Sequence, residues 1–173
     1  MMLFIPRAAV VAAAAFVPML LEARRSRRNE AILRARGAVE PPGDVYAWMQ
    51  IAYPGCFVAI VAEAALRQQP AGGWAAIGAI VFLLAKALKY SAIAALGDRW
   101  TFRVLVLPAH ELVTTGPYRW LRHPNYVGVA GELIGAALMA GSPLTGVIAF
   151  VVFGGMMLAR VRVEERALNT CGR

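Results

Sequence analysis

Long apolar runs separated by short basic segments dominate the chain. Three of them, residues 2–21, 45–66 and 74–96, have the roughly 20 residues that a helix needs to cross a hydrocarbon core about 30 Å thick. Each run is apolar on nearly every face, as a helix in contact with lipid must be. The pattern therefore predicts three membrane-spanning helices in the N-terminal part of the chain.

A fourth apolar region, residues 126–159, is long enough for two helices but is interrupted by Gly141, Ser142 and Pro143. These residue types favour a turn, and they leave two pieces of about 15 and 16 residues, each marginal for a full crossing. We expect a tight helical hairpin that is tilted or shielded by its neighbours. The sequence thus predicts an all-α integral membrane protein with about five transmembrane helices.

Composition supports a membrane protein and excludes other classes. Of the 173 residues, 60% are hydrophobic and 16% are charged, and the mean hydropathy is +0.58. Soluble globular proteins and disordered chains do not have this ratio of hydrophobic to charged residues. The two cysteines, Cys56 and Cys171, are too few for a disulfide-stapled fold and have no metal-ligand spacing. The net charge of +8 does not indicate nucleic acid, because the basic residues lie between the apolar runs.

The distribution of arginine predicts the orientation in the membrane. Residues 22–44 hold six arginines, residues 97–125 hold four and the tail from residue 160 holds four, whereas the opposite connections hold only Arg67. Because basic loops stay cytoplasmic, we expect the N-terminus outside and the C-terminus inside, in a bacterial inner membrane. The same arginines attract anionic lipid headgroups. The first run is predicted to be a retained helix and not a cleaved signal peptide, because its basic residues follow the run.

The unusual polar residues lie after residue 97. Thr115-Gly116-Pro117 and His123-Pro124-Asn125 each predict a helix start with proline at the first helical position. Unpaired backbone N–H groups at such starts could hold the carboxylate of a small ligand.

A second polar group ends the predicted hairpin. Arg160 and Glu164 share one helix face, and Glu165 follows directly. If the hairpin turns the chain back, these groups return to the level of His123 and Tyr126 and form one cytoplasmic pocket suited to a positively charged ligand. The alternative is an ion pair on the protein surface.

Here the residues carry a resemblance. The string GPYRWLRHPNYVG, followed from residue 160 by RVRVEERAL, resembles the signature of the isoprenylcysteine carboxyl methyltransferase and phospholipid methyltransferase superfamily. That pattern is G-P-Y-x-x-x-R-H-P-x-Y-x-G, then R-I-x-x-E-E-x-x-L, and Val161 stands where isoleucine is usual. The resemblance covers roughly residues 86–168, and the first three helices match only in being helices. The matching residues are Gly116, Pro117, Tyr118, Arg122, His123, Pro124, Tyr126 and Gly128, then Arg160, Glu164, Glu165 and Leu168.

The resemblance implies a single membrane domain over residues 1–173, with three helices in 1–96 and a cofactor-binding, catalytic half in 97–173. It implies an S-adenosylmethionine-dependent O-methyltransferase whose lipophilic acceptor enters from the bilayer. Methyl transfer from a sulfonium requires positioning and desolvation, so we expect neither a metal nor a covalent intermediate. The implied cofactor-binding residues are His110, Leu112, Val113, Gly116, Pro117, Tyr118, Arg122, His123, Pro124, Tyr126 and Glu165, and the implied catalytic residues are His123, Arg160, Glu164 and Glu132.

The acceptor has two interpretations. The segment LKYSAIAALGDRWTFRVLVLP and the presence of Glu132 resemble the small bacterial members that methylate alkylresorcinols and alkylpyrones more than the prenylcysteine enzymes. A phenol benefits from a general base, for which His123 and Glu132 are candidates, whereas a carboxylate acceptor is already ionised. Glu132 also has a structural interpretation, because Gly128, Gly131 and Gly135 form a small-residue face across which a neutral Glu132 could bond.

The other polar residues in the apolar runs are predicted to have structural roles. Lys86 is the deeper of two lysines, and Lys89 is expected to reach the cytoplasmic face. A pair between Glu63 and Lys86 is not expected, because Glu63 lies near the outer end of its helix. We expect Tyr90, Trp100 and Trp120 to be interfacial anchors. The alternative is that they are platforms for the adenine ring or the substrate.

Two other functions are compatible with parts of the pattern. One is an NADPH-dependent membrane enzyme similar to sterol reductases, some of which resemble this superfamily in a C-terminal R-H-x-N-Y motif. The other is a non-enzymatic lipid-binding membrane protein in which arginine and glutamate only shape topology.

Overall fold

The computed structural model describes residues 7–67, 72–107 and 112–171. In these ranges the chain forms five α-helices and two short 3-10 turns, with one isolated antiparallel bridge between Val39 and Val106. The protein is an all-α membrane protein, as predicted. The elements are α1 (Arg7–Ala35), α2 (Tyr46–Arg67), α3 (Trp74–Leu96), the turns Gly97–Arg99 and Gly116–Arg119, α4 (Pro124–Ala140) and α5 (Pro143–Cys171).

Within the described ranges, three helical segments are long and apolar enough to cross a membrane: Tyr46–Arg67, Trp74–Arg99 and Pro143–Ala167. The α4 helix has 17 residues, and α1 continues through the arginine cluster. For α1 and α4 a full crossing stays a prediction.

The first helix differs from the sequence prediction. The sequence places the end of the first span near residue 21, whereas α1 continues to Ala35. Its extension carries a buried polar stripe of Glu22, Ser26 and Asn29. The Ser26 hydroxyl accepts a hydrogen bond from the Phe102 amide at 2.8 Å, and the Asn29 amide donates to the Trp100 carbonyl at 2.7 Å. These contacts hold the segment that follows α3 against α1.

Glycines allow α3 and α4 to pack closely. The face of α4 formed by Gly128, Gly131 and Gly135 lies against α3, and a Cβ on Gly135 would approach the Phe82 backbone nitrogen to 2.6 Å. The predicted small-residue contact is therefore confirmed, and it is part of the most extensive helix–helix interface in the described structure.

The predicted helical hairpin is also confirmed. Gly141 ends α4 in the left-handed conformation (φ 70°, ψ 40°), which glycine adopts without steric cost, and Pro143 begins α5. The Ser142 hydroxyl donates to the Ile60 carbonyl at 2.7 Å, which ties the turn to α2. The turn therefore returns α5 alongside α4.

Four charged side chains form a buried ionic cluster between α1, α3 and α4. The Lys86 Nζ lies 3.2 Å from Glu22 and 3.1 Å from Glu132, and the Lys89 Nζ lies 2.7 Å from Glu22 and 3.4 Å from Glu132. The Tyr53 hydroxyl of α2 also donates to Glu132. Two positive and two negative charges thus balance inside the helix bundle.

The cluster corrects one prediction about the lysines. Lys89 was expected to reach the cytoplasmic face, but its side chain is 2% exposed. The prediction is wrong because it considered α3 alone, whereas carboxylates on α1 and α4 neutralise this lysine within the bundle. Glu63 instead accepts hydrogen bonds from the backbone N–H and hydroxyl of Thr145 at the start of α5.

Of the three predicted aromatic anchors, Trp100 behaves differently. Tyr90 and Trp120 are exposed, as an interfacial position requires. Trp100 is 2% exposed, and its indole N–H lies 3.4 Å from the Asn125 side-chain oxygen. It is therefore a packing residue, held in place by the contact of Asn29 with its carbonyl.

The first test concerns the α3–α4 interface. Gly135→Ala is expected to destabilise the protein by about 1–3 kcal/mol, because the new methyl group must push the Phe82 backbone away. Gly155→Ala on α5 is the matched control, since a Cβ there meets nothing within 4 Å. Alanine favours a helix over glycine by about 1 kcal/mol, so the control should melt at or above the wild-type temperature. Equal melting of the two variants in detergent would refute the close contact.

The second test concerns the ionic cluster. Glu132→Gln leaves two lysines facing one carboxylate, and we expect a loss of about 3–5 kcal/mol in stability. Adding Lys89→Met restores the charge balance, so the double variant should melt at a higher temperature than Glu132→Gln alone. A Glu132→Gln variant with wild-type melting would show that the cluster does not stabilise the fold.

Candidate active site

A cleft of about 490 Å³ lies where the start of α4 meets α5, a size typical of small-molecule sites. Its walls come from three segments: the chain after α3, the turn before α4, and the C-terminal part of α5. The cleft brings together nine of the residues that the sequence analysis assigned to the site. These are Leu112, Val113, Tyr118, Arg122, His123, Tyr126, Arg160, Glu164 and Glu165.

His123 faces the acidic doublet of α5. It immediately precedes Pro124, the first residue of α4, and its ring extends across to the end of the hairpin. The His123 Nε2 lies 3.3 Å from Glu165 Oε1, and Nδ1 lies 3.9 Å from Glu164 Oε2. The hairpin therefore places the histidine and both glutamates at one level.

A chain of hydrogen bonds links Arg160 to Glu164 on α5 through Tyr126 of α4. The Arg160 Nε donates to the Tyr126 hydroxyl at 2.9 Å, and this hydroxyl donates to Glu164 Oε2 at 2.9 Å. Tyr126 thus fixes Glu164, whereas Glu165 is the more exposed of the two carboxylates, at 44% against 32%. Glu165 is accordingly the carboxylate more accessible to a ligand.

The N-terminal half of the chain contributes a residue that the sequence analysis missed. Asp44 Oδ1 lies 3.3 Å from Arg160 Nη1, and Oδ2 accepts the Val104 amide at 3.0 Å. Oδ1 also accepts the amide of Tyr46, the first residue of α2, at 3.1 Å. An aspartate before an apolar run is a helix N-cap signal, so its local role was detectable, but its arginine partner was not.

The wall after α3 lies in the half of the chain that the sequence analysis assigned to the site, although none of its residues was given a role there. It is anchored to α1 by Ser26 and Asn29, and two backbone hydrogen bonds join Val39 to Val106. The sequence does not indicate which residues of this segment line the cleft, because the position of the segment depends on contacts with α1. Its lining residues are Arg99, Trp100, Thr101, Arg103, Val104, Leu105 and Val106.

Some predicted residues shape the site without lining it. Gly116 has a positive φ of 58°, and Pro117 is buried. Together they form a single 3-10 turn in which the Tyr118 amide bonds to the Thr115 carbonyl at 3.2 Å. The expectation of a free N–H at this start is therefore wrong for Tyr118, because the turn uses it internally. Pro124 is buried at the start of α4.

Of the two remaining assignments, one lies away from the cleft and the other falls outside the described residues. Glu132 is not among the residues that line the cleft, and its carboxylate belongs to the buried ionic cluster. His110 falls in 108–111, outside the described residues.

The ionisation of Tyr118 limits its chemistry. Burial and, to a lesser degree, the negative charge of Glu164 raise the pKa of Tyr118 above its ordinary value. The phenol therefore stays protonated at neutral pH, so in the cleft it serves as a hydrogen-bond donor and not as a base.

Comparison with known proteins now decides the family. The model of the isoprenylcysteine carboxyl methyltransferase (ICMT) family matches residues 77–170. The chain belongs to this family. The match runs from within α3 through the cleft and the hairpin. Together with the methyltransferases among its relatives, it shows that the chain is a membrane methyltransferase.

Individual relatives agree with the family match. The chain is 33% identical to uncharacterized protein YpbQ of Bacillus subtilis over 83% of its own length and 86% of that protein. It is 44% identical to the protein-S-isoprenylcysteine O-methyltransferase of Saccharomyces cerevisiae over 34% of its own length and 25% of the yeast enzyme. It is 31% identical to protein-S-isoprenylcysteine O-methyltransferase A of Arabidopsis thaliana over 53% of its length and 48% of that enzyme. No solved structure gives a significant match.

Proposed function

We propose that this member of the ICMT family transfers a methyl group from S-adenosylmethionine to an oxygen of a lipophilic acceptor at the cytoplasmic membrane face. One observation carries the proposal: the hairpin brings His123 and the Glu164–Glu165 doublet into contact with each other in the lining of one cleft. Two carboxylates beside a histidine suit a ligand with positive charge.

The residues of the cleft fit this cofactor. Glu165 is the exposed carboxylate and would bind the ammonium or sulfonium group, with His123 beside it. Arg122 would bind the carboxylate of the amino-acid part, because a guanidinium matches carboxylate geometry. Leu112 and Val113 supply apolar surface for the adenine ring.

The chain's own residues act by holding and orienting the reactants. When bound, S-adenosylmethionine supplies a methyl group that is already activated by the adjacent sulfonium. Arg160, fixed by its hydrogen bond to Tyr126, would orient the acceptor oxygen, and the buried wall around Trp100 excludes water. With a phenolic acceptor, a ring nitrogen of His123 would accept the proton. We assign this role to His123 and not to Glu132, because Glu132 is paired with two lysines.

Two acceptor classes remain in the proposal. The names of the yeast and plant relatives point to isoprenylcysteine, and hence to a carboxylate. The segment that runs from α3 into the cleft wall, residues 88–108, resembles small bacterial enzymes of the superfamily. This resemblance points to a long-chain phenol or pyrone. Both are lipophilic and would reach the cleft from the bilayer. The family match favours methyl transfer over the reductase-like and non-enzymatic alternatives.

Cofactor binding is tested by calorimetry with S-adenosylhomocysteine on the detergent-purified protein. Charge-assisted hydrogen bonds contribute about 1.5–3 kcal/mol, so we expect His123→Ala and Glu165→Ala each to weaken binding by roughly 10- to 100-fold. Arg162→Ala is the control, because Arg162 is an exposed residue of the same helix that does not line the cleft. Equal affinities in wild type and both site variants would reject the proposed cofactor site.

The acceptor is tested by following label from methyl-labelled S-adenosylmethionine into a membrane lipid extract. We expect an organic-soluble labelled product with wild-type protein and little product with Glu165→Ala. Mild base then separates the acceptor classes: a labile product is an ester of a carboxylate, and a stable product is an ether of a phenol or pyrone. If wild-type protein binds S-adenosylhomocysteine but labels nothing in the extract, the lipophilic acceptor is wrong.

A further inference from the structure

We infer that Asp44 is a positioning residue of the methyl-transfer site, acting through Arg160. This inference rests on the proposed function. Asp44 lies before α2, outside the residues 77–170 that match the family model. The site would therefore depend on the N-terminal half of the chain for the orientation of a catalytic group.

Asp44 is buried beside Arg160. Its side chain is 4% exposed and that of Arg160 is 7% exposed. A carboxylate at such a depth is costly unless it is paired and hydrogen-bonded. Arg160 supplies the positive charge, and the amides of Val104 and Tyr46 supply two hydrogen bonds. Asp44 thus joins α2, the cleft wall and α5 at one point.

The protein holds the Arg160 guanidinium at each of its nitrogens. Nη1 faces Asp44, Nη2 donates to the Phe102 carbonyl and Nε donates to the Tyr126 hydroxyl. All three nitrogens of the planar group therefore have a protein partner. Because Tyr126 continues the chain to Glu164, the orientation of Arg160 also sets the position of that carboxylate.

Without Asp44, the Arg160 guanidinium would have another carboxylate within reach, that of Glu164. Glu164 lies four residues after Arg160 on the same helix, the spacing at which side chains of opposite charge pair. An Arg160 released from Asp44 would turn toward Glu164 and away from the acceptor. Asp44 therefore holds the arginine in the arrangement that methyl transfer needs, while His123 and Glu165 keep their places.

The inference is tested with Asp44→Asn and Asp44→Ser, which remove the charge but keep an oxygen that can cap α2. We expect kcat to fall at least about tenfold, since a misplacement of about 1 Å can cost roughly 100-fold in rate. The affinity for S-adenosylhomocysteine should stay within about threefold of wild type. The reason is that His123 and Glu165, the proposed cofactor-binding residues, keep their places in these variants. Asp44→Glu, which restores the charge, should recover part of kcat. Asp98→Asn is the matched control, because Asp98 pairs with Arg36 on the exposed surface.

Three results would overturn the role of Asp44. The first is a wild-type kcat in a folded neutral variant. The second is a parallel loss of kcat, cofactor affinity and melting temperature, which indicates a purely structural residue. The third is failure of both neutral variants to fold. Wild-type protein that neither binds S-adenosylhomocysteine nor transfers methyl would instead reject the proposed function itself.

Discussion

The reversal of the chain at Gly141 is the constraint on which the site depends. It joins two helical arms, α4 with 17 residues and the longer α5 with 29 residues, so that residues at the start of α4 lie level with residues toward the end of α5. His123 and Tyr126 can therefore contact Glu164 and Glu165, although about 40 residues separate them along the chain. A change in the length of either arm by two residues would rotate these side chains away from each other, because a helix turns about 100° per residue.

Burial of charge connects this hairpin to the N-terminal helices. Glu22 on α1 pairs with both lysines of α3, and Ser26 on the same face holds the wall of the cleft. Asp44 adds a third link, to Arg160 on α5. The family match begins within α3, yet Lys86, Lys89 and Arg160 inside it also pair with carboxylates outside it, those of Glu22 and Asp44. The N-terminal helices thus complete the electrostatics of the C-terminal half.

The sequence predicted features that depend on local pattern. Apolar length placed α2 and α3, Gly141 and Pro143 placed the hairpin turn, and two motifs identified the residues that meet across the cleft. The sequence did not predict the surroundings of residues whose partners lie on a distant element. Lys89 and Trp100 were assigned from their own helix or neighbourhood, without the α1 residues that bury them. Asp44 was missed for the same reason, since nothing near it in sequence points to Arg160.

The buried Glu132 and the Glu164–Glu165 doublet differ in how the protein balances their charge, and this difference separates their roles. Glu132 has two lysines within ion-pair distance, so its charge is satisfied by the protein. In the described part of the chain, Glu164 and Glu165 contact His123 and Tyr126, neither of which carries a permanent charge. The adjacent arginine, Arg160, already faces Asp44. A carboxylate pair with this environment gains most from a cation supplied by a ligand, which is why the cleft, and not the buried cluster, suits a sulfonium compound.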